Sequence, residues 1–121
     1  MAVILIIDDS PTELHLFKSM LEKNGFDTLV ADSGEEGLRQ AANTGPDCIL
    51  MDVVMPGMNG FQATRKLSQD PRTSSIPVII ITTKDQETDK IWGMRQGAVE
   101  YLVKPIREGE LVSKINAVMA D

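Results

Sequence analysis

Two adjacent carboxylates, Asp8 and Asp9, close the apolar run Val3-Ile4-Leu5-Ile6-Ile7. A third, Asp52, closes Cys48-Ile49-Leu50-Met51; Thr82 follows Pro77-Val78-Ile79-Ile80-Ile81, and Lys104 follows Val99 to Val103. Two like charges about 4 Å apart repel by roughly 1 kcal/mol in water and roughly 4 kcal/mol at an effective dielectric of 20. Acids side by side at the end of a buried run therefore need a compensating charge. Three carboxylates form a hard oxygen donor set suited to Mg²⁺ in a small, partly wet site. A lysine adds a compact positive charge for an anionic ligand, and a threonine hydroxyl adds one hydrogen bond. Cation, ammonium and hydroxyl together would surround a phosphoryl group, and one aspartate could accept it, because Asp serves as a nucleophile in forming acyl phosphates. Offsetting charge on the transferring group is the chief requirement of that chemistry.

Residues spread from position 8 to position 104 act together only if the fold gathers them. The apolar runs are short, continuous and rich in β-branched residues, the pattern of strands buried on both faces. Between them lie helical patterns. Ser10-Pro11-Thr12-Glu13 reads as a helix start, with Ser10 as N-cap, Pro11 at the first helical position and Glu13 completing a capping box. Leu14, Phe17, Met20 and Leu21 keep helical spacing to Asn24, before Gly25. Thr28 to Ala31 is a weaker strand, expected near an edge. Ser33-Gly34-Glu35-Glu36 is a second capping box, opening a helix that runs to Gly45-Pro46. After the loop Met55 to Gly60, a helix is predicted from Phe61 to Gln69. A fourth covers Asp85 to Gln96, with Ile91, Met94 and Ala98 as its inward stripe and Trp92 one step off it, partly exposed. The last covers Glu108 to Met119.

Strand and helix thus alternate five times. This predicts an α/β fold of three layers, (βα)5, with a five-stranded parallel sheet covered by helices on both faces. Right-handed crossovers leave few topologies, and the flavodoxin-like order 2-1-3-4-5 is the expected one. In such a sheet the carboxyl ends of the strands border one crevice, where strand order reverses. Asp8, Asp9, Asp52, Thr82 and Lys104 all stand at those ends.

A chain of 121 residues is expected to form a single domain, 1–121. No apolar run approaches a bilayer span, and Asp8 interrupts the N-terminal one, so neither membrane insertion nor export is expected and a cytoplasmic location is. A lone Cys48 excludes an intramolecular disulfide and a cysteine zinc cage, and reads as a small buried hydrophobe. The formal charge of −6 disfavours nucleic acid and fits a cation site or a basic protein partner. His15 reads as a surface residue of the first helix.

Over essentially its whole length the sequence resembles the receiver domain of two-component response regulators, the CheY-like family. The resemblance is carried by Asp8-Asp9, Asp52 in LMDVVMPGMNG, Thr82 in VIIITT, and Tyr101 with Lys104-Pro105 in YLVKP. It implies that Asp52 is the phosphoacceptor for a phosphohistidine on a sensor histidine kinase. It implies Mg²⁺ held by Asp9, Asp52 and the backbone carbonyl of Val54, with Asp8 acting through a metal-bound water. Lys104 would pair with the phosphoryl group and Thr82 would bond to it; Tyr101 would be the switch aromatic. The Lys104-Pro105 bond would be cis. Trp92 would lie on the partner-docking face. The segments MPGMNGFQATRKL (55–67) and TTKDQETDKIWGMRQGA (82–98) are similar to single-domain regulators of type IV pilus chemosensory systems, the PilH-like group. That implies a stand-alone regulator, monomeric or weakly dimeric, in pilus twitching motility or chemotaxis. It would signal by protein contact to a target the sequence does not name, or drain phosphoryl groups from the kinase, with at most slow self-dephosphorylation. Two positions depart from polar or acidic norms: Val54 cannot position a hydrolytic water and Lys84 could shield the phosphoryl group, so a slower dephosphorylation is expected.

Two other functions use similar parts. A Mg²⁺-dependent phosphatase with an aspartyl nucleophile usually has Asp-x-Asp after its first strand and a cap domain; here the two acids are adjacent. A flavin carrier of the same fold needs a hydroxyl- or glycine-rich phosphate loop where this chain has acids.

Overall fold

The structure, a computed structural model, describes residues 2–120. Its elements are β1 (Val3–Ile7), α1 (Pro11–Lys23), β2 (Asp27–Ala31), α2 (Gly34–Thr44), β3 (Cys48–Met51), α3 (Gly60–Gln69), β4 (Val78–Thr82), α4 (Glu87–Arg95), β5 (Glu100–Val103) and α5 (Glu108–Met119). The strands form one parallel sheet in the order β2-β1-β3-β4-β5, as expected. β2 is an edge strand and only half-buried.

The continuous apolar runs divide by alternation, because successive side chains of a strand point to opposite faces. Leu5, Ile7, Ile49, Met51 and Ile80 pack with Ala41 of α2 and with Phe61, Ala63 and Leu67 of α3. Ile4, Ile6, Cys48, Leu50, Ile79 and Ile81 pack on the other side with Phe17 and Leu21 of α1 and Leu111 and Ile115 of α5. With both faces covered, no strand of the centre can afford a polar residue before its last position.

Local structure departs from expectation at several places, α2 among them, where Ser33 accepts from the Glu36 amide at 3.1 Å but the Glu36 carboxylate pairs with Gln40 and Arg39 and closes no capping box. Ser10 does cap α1, accepting from the Glu13 amide at 3.3 Å, but the Glu13 carboxylate does not fold back to close a capping box. The Ser10 amide instead donates to Asp8 Oδ1 at 2.9 Å, so the position Glu13 would fill is taken. A reciprocal box is found at α3, where Asn59 and Gln62 exchange two bonds of 2.9 Å. α4 begins at Glu87, and its expected inward stripe is not inward: Ile91 and Met94 are 47% and 45% exposed, and the buried residue of α4 is Gly93. Trp92 is 48% exposed, as expected but not because it lies off an inward stripe, and Ala98 is buried. The Lys104-Pro105 bond is cis.

The loop after β3 is held tightly. Gly60 donates its amide to the Val53 carbonyl at 2.9 Å. A Cβ at Gly60 would overlap the Asp52 carbonyl and stand 2.7 Å from Val53 Cα.

Candidate functional site

β1 and β3 are neighbours in the sheet, with Ile7 paired to Met51. Asp8 and Asp52, the next residue of each, therefore emerge side by side; the Asp52 amide donates to the Ile7 carbonyl at 2.9 Å. Both are buried, while Asp9 is exposed. One carboxylate oxygen from each of Asp8, Asp9 and Asp52 lies within 4.8 Å of the others. A hard divalent cation takes oxygen ligands, so the three clustered acids fit Mg²⁺ by donor type. The side chain of Val54, whose backbone carbonyl is the fourth expected ligand, is 59% exposed.

Lys104 enters from the end of β5, its amide bonded to the Thr82 carbonyl at 2.8 Å. Its ammonium lies 2.9 Å from Asp8 Oδ2, 3.1 Å from Glu13 Oε1 and 3.8 Å from Asp52 Oδ1, and 5.8 Å from the centre of the Phe17 ring. The ammonium therefore faces the acids, and Phe17 adds a weaker cation–π attraction. Burial works to lower the Lys104 pKa, but the bonds to Asp8 and Glu13 and the charge of Asp52 outweigh it and hold the ammonium above the usual lysine range. Asp52 goes the other way. Burial, then the charge of Asp8, push it up to about 6, with Lys104 and the Val53 amide (2.8 Å) opposing. A buried carboxylate beside a second one resists ionisation until positive charge arrives.

Thr82 is fully buried at the end of β4, its hydroxyl accepting from the Lys84 amide at 3.4 Å. Tyr101 donates its hydroxyl to the Lys84 carbonyl at 2.9 Å, and burial, then Asp89 and Asp85, push the phenol up to about 12. Lys84 points its ammonium toward Asp89 of α4, 3.6 Å away. A hollow of about 280 Å³, lined by Leu16, Phe17, Pro105 and Ile106 among others, shares Lys104 with the acidic cluster.

The fold thus gathers Asp8, Asp9, Asp52 and Lys104, and sets Thr82 on the strand between Asp52 and Lys104. Tyr101 and Trp92 stand apart, on the side of α4 and β5. His15 is exposed on α1 and Cys48 is buried, its thiol pushed up to about 12 by burial. Sequence reasoning missed Glu13 as a member of the site. The available signal was position: the first turn of α1 follows Asp9 directly, so its side chains start at the same crevice.

Residues 4–116 match the response regulator receiver domain. The chain is 60% identical to the protein PilH of Pseudomonas aeruginosa over 120 residues, covering 99% of each chain. The chemotaxis protein CheY4 of Vibrio cholerae superposes with a TM-score of 0.92 over 98% of each chain, at 30% identity. The receiver domain of a Pseudomonas aeruginosa sensor histidine kinase, solved with a magnesium ion coordinated in its active-site cleft, superposes with a TM-score of 0.92 at 26% identity, over 99% of this chain and 98% of that one.

Proposed function

The chain belongs to the response regulator receiver domain family, and on that premise we propose that it is a phosphorylation switch whose acceptor is Asp52. One observation carries this reading: a buried aspartate with two further carboxylates against it and a lysine ammonium 3.8 Å away. A carboxylate oxygen of Asp52 attacks the phosphorus of a phosphohistidine on a histidine kinase. The O–P bond forms, the N–P bond breaks, and the imidazole nitrogen leaves with the electron pair. Lys104 offsets charge on the transferring oxygens, moving from Asp8 and Glu13 toward the new group. Asp8, Asp9, Asp52 and the carbonyl of Val54 would hold Mg²⁺, which when bound supplies positive charge to the same oxygens. Thr82 donates its hydroxyl to a phosphoryl oxygen, and Tyr101 follows on the side of α4.

The output is a protein contact on the face around Tyr101 and Trp92, or the draining of phosphoryl groups from the kinase. The 60% identity to PilH over 99% of each chain and the likeness to CheY4 support a regulator of pilus-linked motility or chemotaxis. A cytoplasmic location, where kinase and regulator meet, goes with this reading. No helix among the described residues is long and apolar enough to cross a membrane. Incubation with acetyl phosphate and Mg²⁺, followed by intact mass, tests the proposal. The expected result is one added phosphoryl group, lost in Asp52→Asn and on removal of Mg²⁺ with a chelator. No adduct, or an adduct that survives Asp52→Asn, overturns it.

A further inference from the structure

α4 makes an unusual contact with the sheet. Its long apolar side chains, Ile91, Trp92 and Met94, are nearly half exposed, and the helix is seated through a residue with no side chain. A Cβ built on Gly93 would stand 2.9 Å from Ile80 Cδ1 and 2.9 and 3.0 Å from Cδ2 and Cε2 of the Tyr101 ring. Real Cβ atoms do not approach that closely, so a side chain at 93 forces Ile80 or the Tyr101 ring from its present place. The Tyr101 ring packs against the buried cluster beneath α4, and its hydroxyl donates to the Lys84 carbonyl at 2.9 Å. Lys84 is two residues from Thr82, and its own amide is bonded to the Thr82 hydroxyl.

We infer that Gly93 is the positioning residue of Tyr101: the missing side chain leaves a notch in α4 that seats the ring inward, with its hydroxyl on the Lys84 carbonyl. The ring end is the movable partner. The three atoms nearest a methyl group at 93 are side-chain atoms of Ile80 and Tyr101, and the half-buried ring, on an edge strand, has room to swing out. The hydroxyl then leaves the Lys84 carbonyl, and the tie between the loop after Thr82 and β5 opens.

Tyr101 is the chain's only tyrosine, so fluorotyrosine labelling gives one ¹⁹F signal from this ring. The full chain is labelled and measured with no phosphoryl donor and no Mg²⁺, with a soluble gadolinium chelate reporting exposure. The expected result is a single resonance protected from the chelate in the wild type, and at least threefold greater broadening in Gly93→Ala. Gly109→Ala is the matched control, a helical glycine of α5 with no atom within 4 Å of its added Cβ; its signal should stay protected. Ile80→Val combined with Gly93→Ala removes the other crowded atom and should leave the ring exposed, which also covers the case in which Gly93→Ala alone folds poorly. A wild-type resonance already open to the chelate, or a folded Gly93 variant that stays protected, overturns the assignment. These measurements do not depend on Asp52 taking phosphate, so failure of the acetyl phosphate test would leave them standing.

Discussion

Glu13 occupies the third position of α1, where a carboxylate ordinarily folds back onto the N-cap amide. Here Asp8 has taken that amide, and Glu13 turns to Lys104, 3.1 Å away. The sequence shows the cap and conceals the ion pair, because both partners of a long-range contact are ordinary in their own segments. Asp8, Asp9, Asp52, Thr82 and Lys104 were legible for the opposite reason: each interrupts an apolar run at the same end of a strand. A carboxylate that competes for the lysine and repels an anionic donor slows phosphoryl transfer, so Glu13→Gln should speed modification by acetyl phosphate. Opposition at this partly exposed distance is worth about 0.5–1 kcal/mol, or roughly two- to fivefold in rate. Initial rates by mass spectrometry, with Glu13→Asp remaining near wild type, check it; a Glu13→Gln rate at or below wild type would contradict it. Val54 makes a second case. Its exposed apolar side chain follows Asp52, the proposed acceptor, by two residues and offers no hydrogen bond to a hydrolytic water. Val54→Asn should shorten the life of the acyl phosphate several-fold, read as decay of the phosphorylated mass after the donor is removed. Lys84 is less suited to shielding than its charge suggested, because its ammonium is drawn toward Asp89.

At the scale of elements, the β-strands were readable almost to the residue, and the reason lies in the two-sided core. A strand buried on both faces must be apolar throughout, so its first polar residue marks its end and the site together. Helices buried on one face were readable from their stripes where the stripe is real, as with Phe17 and Leu21 of α1. α4 was not, since it is seated by Gly93 and presents its larger apolar side chains outward; a pattern search rewards the large residues and passes over the glycine. The start of α3 escaped for a similar reason. Gly60 reads as a loop residue, yet it is the first residue of the helix and the point where α3 presses on the backbone of Asp52 and Val53. That overlap involves main-chain atoms, which cannot swing aside. Gly60→Ala should therefore destabilise the fold by roughly 2–4 kcal/mol, despite the gain in helix propensity of about 1 kcal/mol that alanine brings elsewhere. Urea unfolding checks this, with Gly109→Ala expected to be neutral or slightly stabilising. Equal midpoints for the two variants would mean that the contact at Gly60 relaxes at little cost.

For the whole molecule, the acidic cluster opposes folding unless positive charge reaches it. The chain carries −6 formally, and three of its acids converge at one end of the sheet. Asp52, held up to about 6, is the member whose ionisation folding resists. An ordinary aspartate titrates near 3.9 in the unfolded chain, so between about pH 4 and 6 the folded protein binds a proton there that the unfolded one has lost. The favourable contribution of the protonated form is complete below about pH 4 and is lost as pH rises through about 6. At neutral pH the ionised group therefore opposes folding. Asp52→Asn should be more stable than the wild type at pH 7.5 in the presence of a chelator, by roughly 1–3 kcal/mol for a shift of this size. The advantage should shrink as pH falls through 6 and be gone near 4. Added Mg²⁺ should then raise the wild type in proportion to its occupancy and raise Asp52→Asn much less, closing the gap at neutral pH. Urea unfolding of both proteins from pH 4 to 8, with chelator and with millimolar Mg²⁺, reads every arm of this. Stability curves that run parallel across that range would mean Asp52 ionises as freely in the fold as outside it. A gap that persists in Mg²⁺ would mean the cation does not reach the cluster.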